Sequence, residues 1–496
     1  MNTVLWMVIL YNVIVIGGIG LYLRHQEKLS GGVIDMANGG RDANLAMFSI
    51  TLAITYLGSA HVYGLMEMSF AIGAVALWFC FGHTILMCVI CLGTGRWVRR
   101  LGCSTIPELI GTMYGKQLRT ITACVGAMVV FGLVTLETQA LGIGITAISG
   151  WSLGWSAVVG AVIGTAYVMM GGIKQTMWVN LVNAVVMYGS IIIAGIYLTF
   201  VLPNGWDGVS DFYVQHDQAF KLSVFATPDL LASFALASIF SVVFSQSVNQ
   251  QGMAAAMSAK DEKTIRRSLW IAAPINGLFG VFPVLCGLAA ATIPEFAELG
   301  PKLAGATMVV KLLPTWLVIL LQAGFLGALL STFAMSALAP ATIFAKDIVG
   351  ANVKGGLTPV AEKKLIQKVI LIIGVIGAAL TFFNQPSVIL AITWLFAWLV
   401  PLFFIIVAGL FWKRSAPAAF TVVVWSWVVN CAWSIKPLKD AIVDIVPAFG
   451  VLENAHIAAI VAFLTTIIMY SLAKNYEPAI FKQPTQTINA VEGEAL

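Results

Sequence analysis

Charged residues are scarce in this sequence. Lys, Arg, Asp and Glu make up 10% of its 496 residues, whereas hydrophobic residues make up 59%. Soluble domains carry about 25% charged residues, so this scarcity excludes a soluble globular protein and indicates an integral membrane protein. No hydrophilic stretch is long enough for a separate soluble domain, and the net charge of +5 is not read as a sign of nucleic-acid binding.

Catalytic and metal-binding motifs are also lacking. The apolar segments contain no H-E-x-x-H, no paired aspartates and no nucleophile motif. Cys88 and Cys91 form a lone C-x-x-C in a hydrophobic run, without a second pair at zinc-ligand spacing. We therefore expect a protein that is not an enzyme, in which these two cysteines are packing residues.

Long apolar runs dominate what is present. A membrane-spanning helix needs about 20 mostly apolar residues, and on that basis hydropathy predicts an all-α integral membrane protein with about thirteen transmembrane helices. They lie near 3–23, 45–71, 74–95, 119–147, 153–171, 178–202, 229–257, 268–292, 315–344, 366–383, 388–412, 417–435 and 456–473. Residues 1–474 are then a single transmembrane domain, and the polar residues 475–496 are a short tail that we expect to be disordered.

The basic residues are distributed unevenly between the predicted loops. If the N-terminus is outside, every Lys and Arg falls in a cytoplasmic loop or the tail except Lys221, Lys302, Lys311, Lys436 and Lys439. Cytoplasmic loops of membrane proteins carry the excess of Lys and Arg. The sequence therefore predicts a multi-pass protein of the plasma (inner) membrane with its N-terminus outside and its C-terminus in the cytoplasm.

Polar and small residues interrupt two of the spans. Span 2 contains AITYLGSAHVYGLMEM, which places Gly58, Ser59 and His61 mid-membrane, and span 7 contains FSQSVNQQGM. Close helix packing and hydrogen bonds between helices could explain either span alone. Broken helices at corresponding places in two halves, however, are typical of transporters built from inverted repeats, whose exposed carbonyls hold cations. Because the two interruptions are five spans apart, we favour the transporter.

Span 9 carries adjacent hydroxyls within GALLSTFAMSALAPATIFAKDI. Ser331 and Thr332 are compatible with close helix packing, and their oxygens are also suitable ligands for a small hard cation. In span 4, Glu137 is an acid near the membrane centre and must face protein or water. It could contact a cationic solute group, carry a proton or bond across helices. His61 could titrate or be a neutral hydrogen-bonded residue.

Four segments in order resemble the sodium:solute symporter family. ALLSTFAMSALAPATIFAKDI is similar to the family's A-x-x-S-S/T-x-x-S segment, and GGIKQTMWVNLVN to its G-G-x-x-x-x-x-W-T-D-x-x-Q. SQSVNQQGMAAAMSAKDEKTIRRS is similar to its Q-x-x-x-Q-R and the following basic loop, and ETQALGIG to its third core helix. The resemblance covers about residues 3–412.

The resemblance implies the inverted-repeat fold of the bacterial leucine transporter and symport of a small organic solute coupled to sodium. The five-plus-five core would comprise residues 44–202 and 229–412, with one extra N-terminal and two extra C-terminal helices. The family's sodium site falls on the carbonyls of Ile54, Leu57 and Ala328 and the hydroxyls of Ser331 and Thr332. Na⁺ would then be the coupling ion, held at one site.

Two positions depart from the family's motifs. The T-D beside the fifth core helix reads Val179-Asn180, so a carboxylate is lost, and the Q-R after the sixth helix reads Gln251-Gly252. These departures leave the single sodium site intact and argue against assigning a second sodium or a familiar solute.

Polar and aromatic residues on the interrupted spans and their neighbours are the candidate solute contacts. Glu137 favours an amine-bearing or zwitterionic solute, and a membrane tryptophan could stack on a ring or a cation. Proton coupling and a solute sensor without transport remain alternatives, and nothing in the sequence demands a protein partner besides the lipid bilayer. The candidates are Tyr56, His61, Glu137, Gln139, Gln246, Gln250 and Trp394.

Overall fold

The protein is helical throughout the part described by its computed structural model, which comprises residues 2–30 and 43–482. Eleven helices of this part are long and apolar enough to cross a membrane, and two shorter apolar helices, Leu45–Thr55 and Leu153–Met169, add to them. The predicted all-α membrane architecture is confirmed, and the thirteen predicted spans all fall on helical segments. The number of thirteen spans is approximate, because some predicted loops do not lie between two helices in the structure.

The N-terminal part of the chain supplies the first core repeat and the helix before it. Single turns of π-helix at Ala60–Gly64 and Ile90–Thr94 and 3₁₀ turns at Gly73–Leu77 and Ala219–Leu222 connect or extend its helices. The α-helices are α1 (Asn2–Ser30), α2 (Leu45–Thr55), α3 (Leu65–Ile72), α4 (Trp78–Val89), α5 (Gly95–Leu101), α6 (Ile106–Tyr114), α7 (Lys116–Ser149), α8 (Leu153–Val201) and α9 (Gly205–Gln215).

The second core repeat follows, and it contains π-helical turns at Leu231–Leu236, Ser241–Ser245 and Phe344–Val349. A 3₁₀ turn at Gly350–Asn352 ends the segment that begins with the central helix of the molecule. The α-helices are α10 (Pro228–Leu230), α11 (Ala237–Phe240), α12 (Gln250–Ser258), α13 (Glu262–Phe279), α14 (Val281–Thr292), α15 (Pro294–Ala297), α16 (Pro301–Leu312), α17 (Thr315–Ile343), α18 (Pro359–Phe383), α19 (Val388–Ala397) and α20 (Val400–Phe411).

Three further helices complete the described chain: α21 (Ala416–Ser434), α22 (Lys436–Ile445) and α23 (Asn454–Leu472). A two-residue strand β1 (Lys413–Arg414) pairs antiparallel with β2 (Glu477–Pro478), with 3₁₀ turns at Pro447–Val451 and Ile480–Lys482. The expected disorder of the tail is therefore wrong for its first residues, because Arg414 bridges Glu477 at 2.8 Å and donates to the Pro478 carbonyl. The remainder of the predicted tail, 483–496, lies outside the described residues.

Two predicted spans, 153–171 and 178–202, belong to one continuous helix, α8. At 1.5 Å per residue its 49 residues are more than twice as long as the ~30 Å hydrocarbon layer, so the helix has the length of the two predicted spans joined end to end. The GGIKQ segment that suggested a loop is helical. Glycines only lower helix propensity, and packing outweighs that preference.

Helix α17 is the centre of the core. Every residue from Leu321 to Ile343 is buried, and the helix lies against α1, α7, α8 and α18. A helix that is buried on all sides has no lipid-facing stripe. Its polar side chains must therefore meet protein groups or a bound ligand, since an unpartnered polar group is costly in such surroundings.

Candidate functional site

The first polar interruption is a true break in a helix. Helix α2 ends at Thr55, and helical structure restarts at Ala60. The Leu57 N–H donates to the Ile54 carbonyl at 2.8 Å and closes the last turn, whereas the N–H groups of His61 and Val62 both donate to the Gly58 carbonyl and start the next segment. The break lies where the sequence predicted it, at small residues that stabilise a helix weakly.

The carboxylate of Glu137, from α7, lies against this break. It accepts hydrogen bonds from the Ser59 N–H at 2.9 Å and from the Ser59 hydroxyl at 2.8 Å. A Cβ built on Gly58 would lie 2.4 Å from a Glu137 oxygen and 2.6 Å from Cγ2 of Thr332. Only glycine fits between these two side chains, so the carboxylate and the Thr332 side chain approach the same backbone turn from two sides.

The residues predicted to hold sodium lie at the same turn. The Thr332 hydroxyl is 3.1 Å from the Ala328 carbonyl and 3.4 Å from the Ile54 carbonyl. The Ser331 hydroxyl is fully buried and has no hydrogen-bond partner among the described residues. These oxygens are the ligand type that a small hard cation takes. A buried hydroxyl without a protein partner, next to a threonine that meets the last carbonyls of the broken helix α2 at Ile54, is compatible with a cation ligand.

The second interruption is also a break, and it lies between the π-helical turn that ends at Ser245 and α12. Here the chain satisfies its own groups. Asn249 donates from its amide to Oε1 of Gln246 at 2.8 Å, and its Oδ1 accepts from the Gln251 N–H at 3.1 Å, which caps α12. Asn is a favoured helix cap for this reason.

Tyr56 connects the two breaks. Its hydroxyl donates to the Gln246 carbonyl at 3.2 Å, so a side chain from the first break satisfies the backbone of the second. A Cβ on Gly252 would lie 1.5 Å from this hydroxyl. The glycine that departs from the family's Q-R motif is therefore required here, because Tyr56 fills the space that a side chain at 252 would need.

A cavity of about 30 Å³ lies between the breaks. That volume is enough for a water molecule or two and too small for an organic solute of several heavy atoms. The conformation is therefore one in which the cavity has not opened to admit a solute. Its lining comprises Thr55, Tyr56, Gly58, Ala60, His61, Phe79, His83, Leu133, Glu137, Gln246, Gln251, Thr332, Ile392 and Phe396.

Four predicted solute contacts, Tyr56, His61, Glu137 and Gln246, line this cavity, and three do not. Gln139 donates to the Pro386 carbonyl at 2.9 Å, nearer the predicted outer side. The Gln250 amide accepts from the Ile106 N–H at 2.9 Å and donates to the Ser104 carbonyl, on the predicted cytoplasmic side. Trp394 is 42% exposed and donates to the Ser434 hydroxyl. Contact of these three residues with a solute stays a prediction, because they do not line the cavity in this conformation.

Sequence reasoning missed other residues of the lining. His83 is not among the predicted solute contacts, yet its ring centroid lies 4.4 Å from that of His61, edge to face. Gln251 lines the cavity where Gln250 was predicted to, and its Oε1 is buried without a partner among the described residues. From α19, Ile392 and Phe396 line the cavity, whereas Trp394 does not. The i, i+4 spacing of this pair was the available signal, since it places both on one helix face.

Asn180 lies in the interface between α8 and α17. A Cβ on Gly327 would lie 2.2 Å from the Asn183 amide, and one on Gly324 would lie 2.8 Å from the Met187 backbone. Continuing this register by one turn brings Asn180 to the level of Ser331. Both polar atoms of the Asn180 amide are buried without a partner among the described residues. This register predicts that the position that departs from the family's carboxylate lies near the candidate cation site.

Polar contacts close the molecule on the predicted outer side. Lys302, in α16, donates to the carbonyls of Gln385 and Pro386, the latter at 3.1 Å. Glu67 accepts from the Val388 N–H at 3.3 Å. Burial lowers the pKa of Lys302, and the nearby Glu67 carboxylate acts in the opposite direction. The start of α19, which carries two cavity-lining residues, is therefore tied to α3 and α16.

A second set of contacts closes the predicted cytoplasmic side. Asp347, just after α17, is buried and accepts from Arg119 at 2.8 Å and from the Thr105 hydroxyl at 3.0 Å. Gln250 joins α12 to the start of α6 through the bonds described above. These contacts join helices on the predicted cytoplasmic side of the cavity, as Lys302 and Glu67 do on the predicted outer side.

Comparisons with known proteins agree with this architecture. The model of the sodium:solute symporter family matches residues 37–422. A monocarboxylic acid transporter of Corynebacterium glutamicum is 22% identical over 432 residues, which cover 80% of this chain and 77% of that protein. The uncharacterized symporter YwcA of Bacillus subtilis is 23% identical over 391 residues, covering 74% of this chain and 73% of that one.

A solved structure gives the same result for the fold. A Na⁺-coupled sialic acid symporter in a substrate-bound outward-open state superposes with a TM-score of 0.78 at 15% identity, covering 96% of this chain and 99% of that one. The predicted inverted-repeat fold is confirmed. Because the family model spans most of the sequence and the fold agrees with it, this chain belongs to the sodium:solute symporter family.

Proposed function

We propose that the chain performs its sodium-coupled symport with one Na⁺ held where the broken helix α2 meets α17. The ligands are the carbonyls of Ile54, Leu57 and Ala328 and the hydroxyls of Ser331 and Thr332. The observation that carries this proposal is the Thr332 hydroxyl within 3.4 Å of the Ile54 carbonyl, beside the orphaned Ser331 hydroxyl. The ligand set contains no carboxylate, so occupation by Na⁺ requires no protonation change among the ligands.

Alternating access follows from the position of the ion between α17 and the first break. Na⁺ that enters from outside binds α17 to the first break and fixes the backbone turn at Gly58. The same turn borders the cavity, so the ion organises the surface on which the solute rests. Solute binding then closes the outer contacts at Lys302 and Glu67, and release of the Arg119–Asp347 contact opens the cytoplasmic side.

The ion gradients provide enough free energy for concentrative uptake. One positive charge that crosses about 100 mV contributes about 2.3 kcal/mol, and a tenfold sodium gradient contributes about 1.4 kcal/mol. Together they sustain a solute gradient of roughly several hundredfold, since each 1.4 kcal/mol is a factor of ten.

Orientation and solute are further parts of the proposal. We place the N-terminus outside and the C-terminus in the cytoplasm of a plasma (inner) membrane protein, because the basic loops share one side. The solute is a small organic molecule that binds in the cavity between the breaks. The name of the Corynebacterium relative, a monocarboxylic acid transporter, suggests by similarity a carboxylate as one candidate.

Equilibrium binding of ²²Na⁺ to the purified protein tests the stoichiometry. We expect saturable binding of one ion per chain, with a Hill coefficient of 1, that excess K⁺ and choline do not displace. Two ions per chain would contradict the single site. The absence of saturable binding would contradict sodium coupling through these residues.

A further inference from the structure

Helix α1 contributes two polar side chains to the core. The helix precedes the residues that the family model matches, which begin at 37. Its apolar stretch, Thr3–Leu23, has Tyr11 and Asn12 near the middle, and both bond to other helices. Asn12 is 2% exposed. Lipid offers a polar side chain no hydrogen bond, so these two residues mark the face of α1 that meets the protein.

Tyr11 bonds to α8. Its hydroxyl donates to Oδ1 of Asn183 at 3.1 Å, and Asn183 is buried. Nδ2 of the same amide has no hydrogen-bond partner within the described part of the chain. A Cβ built on Gly327 would lie 2.2 Å from this Nδ2, so the amide lies directly against the backbone of α17. Tyr11 therefore fixes the side chain against which α17 packs.

Asn12 bonds to α17 itself. Its Nδ2 donates to the Ala323 carbonyl at 3.4 Å. In an α-helix this carbonyl also accepts from the N–H four residues later, which here belongs to Gly327. The two neighbouring residues of α1 thus act on one turn of α17, Asn12 at a carbonyl and Tyr11 through the Asn183 amide.

The same turn leads into the proposed sodium ligands of α17. Ala328 directly follows Gly327, and Ser331 lies one turn further along, on the same face as Gly327. Small residues let two membrane helices approach closely, so the contact at Gly327 sets the separation of α8 and α17. Residues behind the ligands of a metal ion orient those ligands and tune the affinity of the site. A shift of this turn would therefore change the distances from the ligand oxygens to the ion.

From these contacts we propose that Tyr11, Asn12 and Asn183 are positioning residues of the sodium site, which hold this turn of α17 at the distance from α2 that Na⁺ requires. The proposal rests on the proposed function, since it concerns the same site. None of the three is a proposed Na⁺ ligand, and none lines the cavity. The N-terminal helix is then part of the coupling machinery, although it lies outside the two repeats.

A merely structural role of these residues predicts a different result. A hydrogen bond that only holds α1 to the core stabilises the folded protein equally in Na⁺ and in K⁺. A positioning role also changes the affinity for Na⁺. It changes the ratio of Na⁺ to Li⁺ affinity as well, because the size and rigidity of a site decide which ion fits.

Equilibrium binding of ²²Na⁺ to the purified protein, with Li⁺ as a competitor, provides the test. Tyr11→Phe removes only the hydroxyl. We expect roughly threefold to tenfold weaker Na⁺ binding, as for the loss of one hydrogen bond between membrane helices, with a changed ratio of Na⁺ to Li⁺ affinity and the same number of ions per chain. Tyr22→Phe is the matched control, since Tyr22 lies in the same helix and is 56% exposed, and its affinity should not change.

A rescue experiment tests the contact at Gly327. Gly327→Ala places a Cβ 2.2 Å from the Asn183 amide, and we expect Na⁺ binding to weaken roughly tenfold or more. Asn183→Ala makes room for this methyl group, so the double variant should bind Na⁺ more tightly than Gly327→Ala alone. If Gly327→Ala does not fold, Asn12→Leu, which removes the bond to α17 and keeps the volume, should weaken Na⁺ binding in the same direction as Tyr11→Phe.

The outcomes separate this proposal from the sodium site itself. Suppose that the unchanged protein binds Na⁺ and that the Ser331→Ala, Thr332→Ala double variant does not. A Tyr11→Phe protein with unchanged Na⁺ affinity would then overturn the positioning role and leave the sodium site intact, even if its stability fell equally in Na⁺ and K⁺. Absence of saturable Na⁺ binding in the unchanged protein would overturn both proposals.

Discussion

The two broken helices of the core occupy corresponding places, yet their free backbone groups are satisfied in different ways. At the second break, Asn249 and Gln246 bond to each other, and the Asn249 side chain caps the helix that follows. At the first break, the partners come from distant helices: Glu137 from α7 and Thr332 from α17. One break is largely self-satisfied, and the other depends on tertiary contacts.

This difference indicates which break responds to a ligand. A break that is capped by its own residues keeps its geometry when neighbouring helices move. A break whose carbonyls face hydroxyls of α17 changes its surroundings whenever α17 shifts, and a cation between them opposes that shift. We therefore expect Na⁺ to act on the first break and the second break to serve as the fixed wall of the cavity.

The largest effect is expected from filling the first break. Gly58→Val introduces a side chain where a Cβ alone would lie 2.4 Å from the Glu137 carboxylate. Overpacking of this kind costs about 1–3 kcal/mol or more, and we expect complete loss of sodium-dependent stabilisation. Gly189→Ala is the control, since its Cβ would meet no atom within 4 Å. A Gly58→Val protein that still responds to Na⁺ would contradict the proposed geometry.

The link between the breaks can be measured by a double-mutant cycle. Gly252→Ala places a Cβ 1.5 Å from the Tyr56 hydroxyl, so we expect strong destabilisation. Tyr56→Leu removes that hydroxyl and its ring, and the double variant should recover part of the loss. Contacting residues typically couple by about 0.5–3 kcal/mol, measured as free energy of unfolding or as the corresponding shift in melting temperature. Additive effects would mean that Tyr56 does not lie over Gly252.

A moderate effect is expected at the outer closure. Lys302→Met keeps the apolar stem and removes the donor to the carbonyls of Gln385 and Pro386. The start of α19 should then open locally more often, so backbone amides of 387–392 should exchange hydrogen for deuterium severalfold faster. Lys311→Met in the same helix, whose contacts are to Glu295, is the control. Equal exchange in both variants would exclude a closing role for Lys302.

The smallest effect is expected at Asn180. Asn180→Asp places a carboxylate at the level of Ser331 and restores the residue type of the family's motif. We expect tighter ²²Na⁺ binding by a few-fold, with a Hill coefficient that rises above 1 if a second ion enters. If the unchanged protein, with Asn180, already binds two ions, the expected gain in ²²Na⁺ binding on Asn180→Asp has no basis.

Much of this arrangement could be predicted from single residues. Glycine and serine at 58–59 and the polar run at 246–251 predicted the two breaks, because each weakens a helix where hydropathy alone requires one. The spacing of residues 328, 331 and 332 places them on one helix face, and the structure brings that face to Ile54.

The orientation of individual side chains around the cavity could not be predicted in the same way. Neighbouring helix positions differ by about 100°, so Gln251 faces the cavity whereas Gln250 faces α6. Trp394 lies two positions from Ile392 and Phe396, on nearly the opposite side of α19. His83 lines the cavity because α4 packs beside the first break. This is a tertiary contact, and the hydrophobic periodicity of α4 alone does not predict it.

Thermal stabilisation in Na⁺ against K⁺ or choline, for the unchanged protein and for the Ser331→Ala, Thr332→Ala double variant, tests the central claim most directly. Ser426→Ala is the matched control, since its hydroxyl is also buried and unpartnered among the described residues but belongs to α21, outside the two core repeats. We predict sodium-specific stabilisation in the unchanged protein and in Ser426→Ala, and its loss in the double variant. Equal stabilisation of the double variant by Na⁺ would contradict a sodium site at the first break.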